Sequence, residues 1–175
     1  MNHLDASLKE FAEFFESKGI DLKGKSVLDI GCRDHTASFP LTSYGLSWTG
    51  CDIKPDQPQG NIITTPMEDL SIFNGQFFDI LFVCHSLEHC ETPINAIKEF
   101  KRVLKSKGWL FIATPSPCVK QITYGDADHI FVLNAMQWQK ILNYVGGWSE
   151  VGCYLQTDNI SLLQDFNVIS IGRKA

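Results

Sequence analysis

Apolar residues follow two spacings along this chain, and the alternation between them outlines a fold. Leu4, Leu8, Phe11, Phe15 and Ile20 recur mostly every three or four positions, so residues 3–18 read as an amphipathic helix closed by Gly19. This N-terminal segment, residues 1–20, is expected to cover one edge of a sheet. Short apolar runs then follow at 26–30, 47–53, 61–65, 77–85 and 109–113, each the length of a strand. The run from Phe77 to His85 is apolar nearly throughout, as a strand covered on both faces must be. Between the runs lie a short helix at 36–44, interrupted by Pro40 and stopped by Gly45, and a longer one from Pro93 to Val103. Ile94, Ile97, Phe100, Val103 and Leu104 form the apolar face of the longer helix, and Gly108 is expected to end the crossover before the strand at Trp109. A helix between two apolar strands is a βαβ unit, almost always right-handed. A last helix at 135–145, ended by Gly146-Gly147, precedes two final strands at 150–156 and 166–171.

Composition narrows the class of molecule. At 175 residues the chain fits one domain, and 44% hydrophobic with 20% charged residues is an ordinary globular balance. A net charge of −5 with only three arginines gives no basic face for nucleic acid. No apolar run reaches the roughly 18 residues of a membrane span, and Asp5, Glu10 and Glu13 make the N-terminus unlike a signal peptide, so a cytoplasmic location is expected. The six cysteines form no C-x-x-C pair and mostly sit in apolar runs, which favours reduced thiols.

The chemistry gathers where predicted strands end. The first strand breaks at Gly31, and a strand, glycine turn and helix at the carboxyl edge of a parallel sheet make a ligand crevice. Asp52 ends the second strand 21 residues beyond Gly31, the spacing at which a carboxylate accepts hydrogen bonds from ribose hydroxyls. Adenosine or NAD would satisfy that spacing equally. Glu68 and Asp69 suit either a ligand contact or the start of a helical turn. His85, Glu88 and His89 follow the strongest strand; a zinc site would need a further ligand pair downstream, and no metal is expected. The long loop at 114–130 carries Tyr124, Asp126, Asp128 and His129, and Asp128 could orient His129 as a base or simply pin the loop.

The run Val27-Leu28-Asp29-Ile30-Gly31-Cys32 resembles the first motif of the class I S-adenosylmethionine-dependent methyltransferases, with Arg33 and His35 standing where that family has further glycines. Pro66-Met67-Glu68-Asp69-Leu70 resembles the family's adenine-side segment, with Pro66 in place of an aspartate. Leu87-Glu88-His89 and Arg102-Val103-Leu104-Lys105 before Gly108 match its later motifs, and 131–145 is similar to its following segment. The resemblance spans 26–171 and implies a single three-layer Rossmann-like α/β domain. Its seven-stranded sheet would be mostly parallel with an antiparallel final strand and helices on both faces. It also implies S-adenosylmethionine as cofactor and a small-molecule acceptor. By this resemblance Asp29, Gly31, Arg33 and His35 serve the turn and methionine end, Asp52 and Ile53 the ribose side, and Met67 and Glu68 the adenine. Cys84 and His85 face the cofactor, with His85 and His129 near the acceptor, Glu88 and His89 hold the turn, and the N-terminal helix either packs or acts as a flap. Arg33 is expected to turn inward onto the cofactor carboxylate through paired hydrogen bonds, or else to pair with Asp34 in solvent. A catalytically silent binding module of the same fold, and an NAD enzyme, are the alternatives.

Overall fold

A computed structural model describes residues 3–56, 58, 60–117, 128–156 and 167–175. Seven strands form one sheet in the order β3-β2-β1-β4-β5-β7-β6. They are β1 (Ser26–Ile30), β2 (Ser47–Asp52), β3 (Ile62–Thr64), β4 (Phe78–Cys84), β5 (Leu104–Pro115), β6 (Trp148–Leu155) and β7 (Asn167–Lys174). β1 pairs in parallel with β2 and β4, as do β2 with β3 and β4 with β5; β7 runs antiparallel to both β5 and β6. This is the Rossmann-like arrangement expected, with its reversed last strand. The chain winds outward from β1 through β2 to β3, then returns to lay β4 on the other side of β1. The crevice at that reversal is where open α/β sheets bind ligands.

Among the described residues four α-helices cover the faces: α1 (His3–Ser17), α2 (Ser38–Ser43), α3 (Pro93–Val103) and α4 (Ala135–Val145). Alternate residues of the central strands supply two cores. Ile80, Phe82 and Phe111 pack with Phe11 and Phe15 of α1 and Leu41 of α2, while Leu81, Val83 and Ile112 pack with Phe100 of α3 and Trp138 and Leu142 of α4. None of the described helices is long and apolar enough to cross a membrane.

Several expectations need correction. α1 lies over the middle of the sheet and not its edge: the Phe11 ring meets Phe82 of β4 and Phe111 of β5 edge-on, at 5.4 and 5.3 Å. Aromatic mass of that size is best buried over the widest apolar surface. The first helix after β1 is shorter than its pattern, because Asp34 accepts the Thr36 N–H at 2.7 Å and holds that segment in a local turn. Ile94 is on the rim of α3, at 36% exposure, and the buried stripe runs through Ala96, Ile97, Phe100 and Val103. β5 starts at Leu104, which already pairs with Phe78; an irregularity absorbs the next residues before Ile80 pairs with Trp109. Five described cysteines are free thiols, and Cys118 lies outside the described residues. Tyr124 and Asp126 lie outside them as well.

Candidate active site

The crevice is built from backbone outward. At the end of β1 the chain turns at Gly31 with φ +71°, and the N–H groups of Gly31 and Cys32 both donate to the Cys51 carbonyl, at 2.8 and 3.1 Å. An added Cβ at Gly31 would stand 2.3 Å from the Ser86 Cβ, so glycine is required both for the turn and for the close passage of the loop after β4. Ser86, which sequence reasoning missed, donates its hydroxyl to the Ile30 carbonyl at 2.9 Å and locks that passage.

Asp52 organises the next layer. One carboxylate oxygen accepts the Arg33 N–H at 2.9 Å and the other the Lys54 N–H at 2.8 Å, joining the loops after β1 and β2. Each oxygen keeps a further lone pair for a ligand hydroxyl. The carboxylate lines a cavity of about 710 Å³ together with Gly31, Ile53, Met67, Glu68 and His85. That size suits a nucleoside-bearing ligand, since small-molecule sites span about 300–1,000 Å³. Ile53 is 71% exposed and forms an apolar rim, a side chain left uncovered by the protein itself. Glu68 accepts the Cys90 thiol proton at 3.0 Å, which holds its carboxylate at the cavity wall.

A second cavity of about 390 Å³ adjoins the first; the two share Gly31, Arg33 and His85, and Asp29 and Cys84 line the second. Asp29 is 3% exposed and takes a hydrogen bond from the Trp48 indole at 3.1 Å. Burial, against that hydrogen bond, pushes its pKa up to about 7. Burial likewise pushes the Cys84 and Cys90 thiols up to about 12 and raises those of Cys32 and Cys51. These sulfurs are therefore protonated at neutral pH and poor nucleophiles.

Two expected contacts are not in the geometry. Arg33 points outward, 77% exposed, with its Nε 2.8 Å from Asp56 instead of turning inward or pairing with Asp34. Its backbone sits at φ +55°, and its N–H, not its guanidinium, serves the cavity wall through Asp52. His35 lines neither cavity; its ring lies 5.4 Å from that of Trp48.

His85 stands where the cavities meet, its backbone at φ +48° and its N–H donated to the Ala113 carbonyl at 2.9 Å. Its Nε2 lies 2.9 Å from Asn167 Oδ1 and its Nδ1 3.6 Å from the buried Glu88 carboxylate. The His3 ring of α1 packs 4.8 Å away. Asn167 and His3 were invisible to sequence reasoning, since 82 residues or more separate each from His85. His129 lines neither cavity and packs its ring edge-on against His89 at 4.8 Å. Asp128 offers its backbone carbonyl to His89 Nδ1 at 3.0 Å. The Glu88 carbonyl accepts the N–H groups of Ile130 and Phe131, at 2.8 and 3.0 Å, so the turn at Leu87–His89 anchors the far end of the long loop. Ligand atoms of Glu88, His89 and His129 come within 4.8 Å of one another, a grouping that takes His129 in place of the His85 considered with Glu88 and His89.

A reversed-strand Rossmann-like sheet, with a carboxylate on the wall of a nucleoside-sized crevice at its winding reversal, defines a nucleotide-cofactor fold. The chain belongs to the methyltransferase domain family, whose model matches residues 2–161. It is 32% identical over 129 residues to a ubiquinone biosynthesis O-methyltransferase of Coxiella burnetii, covering 67% of this chain and 55% of that protein. The counterpart in Haemophilus ducreyi is 29% identical over 123 residues, covering 61% and 52%. The chain thus spans about half the length of the curated relatives it matches. In fold it is similar to a SAM dependent methyltransferase from Archaeoglobus fulgidus, with TM-score 0.73, 18% identity and 95% and 94% of the two chains covered. It is also similar to a Burkholderia thailandensis 1,6-didemethyltoxoflavin-N1-methyltransferase solved with bound 1,6-didemethyltoxoflavin and S-adenosylhomocysteine. There the TM-score is 0.69 at 15% identity, with 97% and 78% covered.

Proposed function

We propose that this chain binds S-adenosylmethionine in the larger cavity and directs its methyl group to a hydroxyl of a small-molecule acceptor. The observation that carries the reading is Asp52: an anchored carboxylate with free lone pairs on a cavity wall, one residue from the apolar rim of Ile53. Asp52 is suited to a ribose diol, Met67 and Ile53 to the faces of an adenine, and Glu68 to its polar edge. Gly31 and Asp29 bound the turn where the methionine end would lie. When bound, the cofactor supplies a methyl group already activated on a sulfonium. The protein's contribution is then mainly alignment and exclusion of water, which can be worth about 7–11 kcal/mol without a strong catalytic side chain. His129 lines neither cavity and packs on His89, so this reading gives it no contact with the acceptor. The hydroxyl acceptor is supported by the names of the curated relatives, and a small molecule in preference to nucleic acid by the net charge of −5.

Calorimetry with S-adenosylmethionine, S-adenosylhomocysteine and NAD tests the proposal. Binding of the first two and none of NAD is expected. Asp52→Ala should weaken both by about 1–3 kcal/mol, roughly 5- to 150-fold, because the ribose hydroxyls lose a buried acceptor. Absence of binding to the wild-type chain, or a preference for NAD, would overturn it.

A further inference from the structure

We infer that Asn167 is a positioning residue that fixes the proton arrangement of His85, so that His85 meets the two cavities without presenting a basic nitrogen. The inference deepens the proposed methyl transfer, on whose placement in this crevice its functional meaning rests. Its basis is a proton count that starts from two backbone carbonyls, groups that can only accept.

The first count starts at α1. Gln156, at the end of β6, donates its Nε2 to the Ala6 carbonyl at 3.1 Å, so the oxygen of its amide faces Asn167. That oxygen needs a donor, and Asn167 Nδ2 supplies one at 3.0 Å. The second count is independent. Ser7 gives its hydroxyl proton to the His3 carbonyl at 2.9 Å, which leaves its oxygen to accept from Asn167 Nδ2, 3.3 Å away. Both counts orient the Asn167 amide the same way, with Oδ1 toward His85. An oxygen with only lone pairs, 2.9 Å from His85 Nε2, requires the proton to be on Nε2. Asn167 is 1% exposed, so water cannot substitute for either donor or acceptor.

The other ring nitrogen, Nδ1, faces the fully buried Glu88 carboxyl at 3.6 Å. Among the described residues, the titratable or charged groups around the ring include Glu88 from the turn after β4, His3 from α1, and Asp29, Cys84, Asp34 and Arg33 around the shared cavity. With Nε2 occupied by Asn167 and Nδ1 turned to Glu88, His85 offers the cavities its ring and not a lone pair. It shapes the boundary between them, and the acceptor's proton leaves by a route other than His85.

Long-range proton–nitrogen correlation spectra of the histidine-labelled, ligand-free chain read this directly. The His85 ring is expected to show Nε2 protonated and to keep that form as pH rises through neutrality. Asn167→Leu removes the acceptor and should shift His85 toward the mixed tautomers of a free imidazole. Gln156→Glu keeps an acceptor for the Asn167 amide and should leave the signature unchanged, and it serves where Asn167→Leu does not fold. A wild-type spectrum with Nδ1 protonated, or an Asn167→Leu spectrum identical to wild type, would overturn the assignment. Because no cofactor is present, failure to bind S-adenosylmethionine would strike the proposed function and leave this result standing.

Discussion

Replacing Gly31 with alanine adds one methyl group, and the structure fixes what that methyl meets. The new Cβ would stand 2.3 Å from the Ser86 Cβ and 2.7 Å from its Oγ. Carbon atoms pack at about 3.5–4.0 Å, so Ser86 must retreat by more than about 1 Å. Ser86 is buried, and its hydroxyl bond to the Ile30 carbonyl breaks in the retreat, at a cost of about 1 kcal/mol. Overpacking of this kind adds about 1–3 kcal/mol. A Cβ at φ +71° adds about 1–2 kcal/mol more. The expected destabilisation is therefore about 3–6 kcal/mol. At roughly 2–4 °C per kcal/mol for a chain of this size, the melting temperature should fall by about 6–24 °C. Thermal unfolding followed by circular dichroism measures it. The double variant Gly31→Ala with Ser86→Gly removes the collision and keeps the backbone strain, so it should recover about half of the loss, the overpacking share. A melting temperature for Gly31→Ala equal to wild type would refute the reasoning, as would a double variant no more stable than the single one.

Asp29, with its pKa raised to about 7 by burial, binds a proton more tightly folded than unfolded, so its stabilising contribution is full below about pH 4 and fades as pH rises through 7. Asp29→Asn should flatten the stability profile between those limits, where one proton accounts for a slope of at most about 1.4 kcal/mol per pH unit; melting temperatures across that range check it. Asn134 and Gln137 form a reciprocal cap at the start of α4, each side chain satisfying the other's backbone N–H, at 3.0 and 2.9 Å. Asn134→Ala should cost about 0.5–2 kcal/mol in urea unfolding with an unchanged m-value. Arg33 is solvent-facing and pairs with Asp56, so Arg33→Gly should leave cofactor affinity within about fivefold, since exposed ion pairs are worth about 0–1 kcal/mol. A large loss of affinity would restore the inward clamp expected of it.

The elements and their order were legible in the spacing of apolar residues along the chain. The threefold-to-fourfold spacing of Leu8, Phe11 and Phe15 and the run from Phe78 to Val83, apolar but for Asp79, report local geometry and burial directly. The spacing from Gly31 to Asp52 is set by one strand–helix–strand unit, so it too was legible. Where α1 lies was not, because an amphipathic face states that it must be covered and not by which strands. The directions of Arg33 and His35 were not, because a side chain's aim depends on whether its backbone takes φ +55° or pairs a ring with Trp48. Least legible was the surrounding of His85. Asn167 reaches it from β7 across 82 positions of sequence, and Ser7 of α1 and Gln156 just past β6 hold Asn167 across 160 and 11 positions, bonds that exist only once the sheet has closed. Periodicity encodes which way a residue faces on its own element, whereas the proton on a histidine is decided by the groups that folding brings against it.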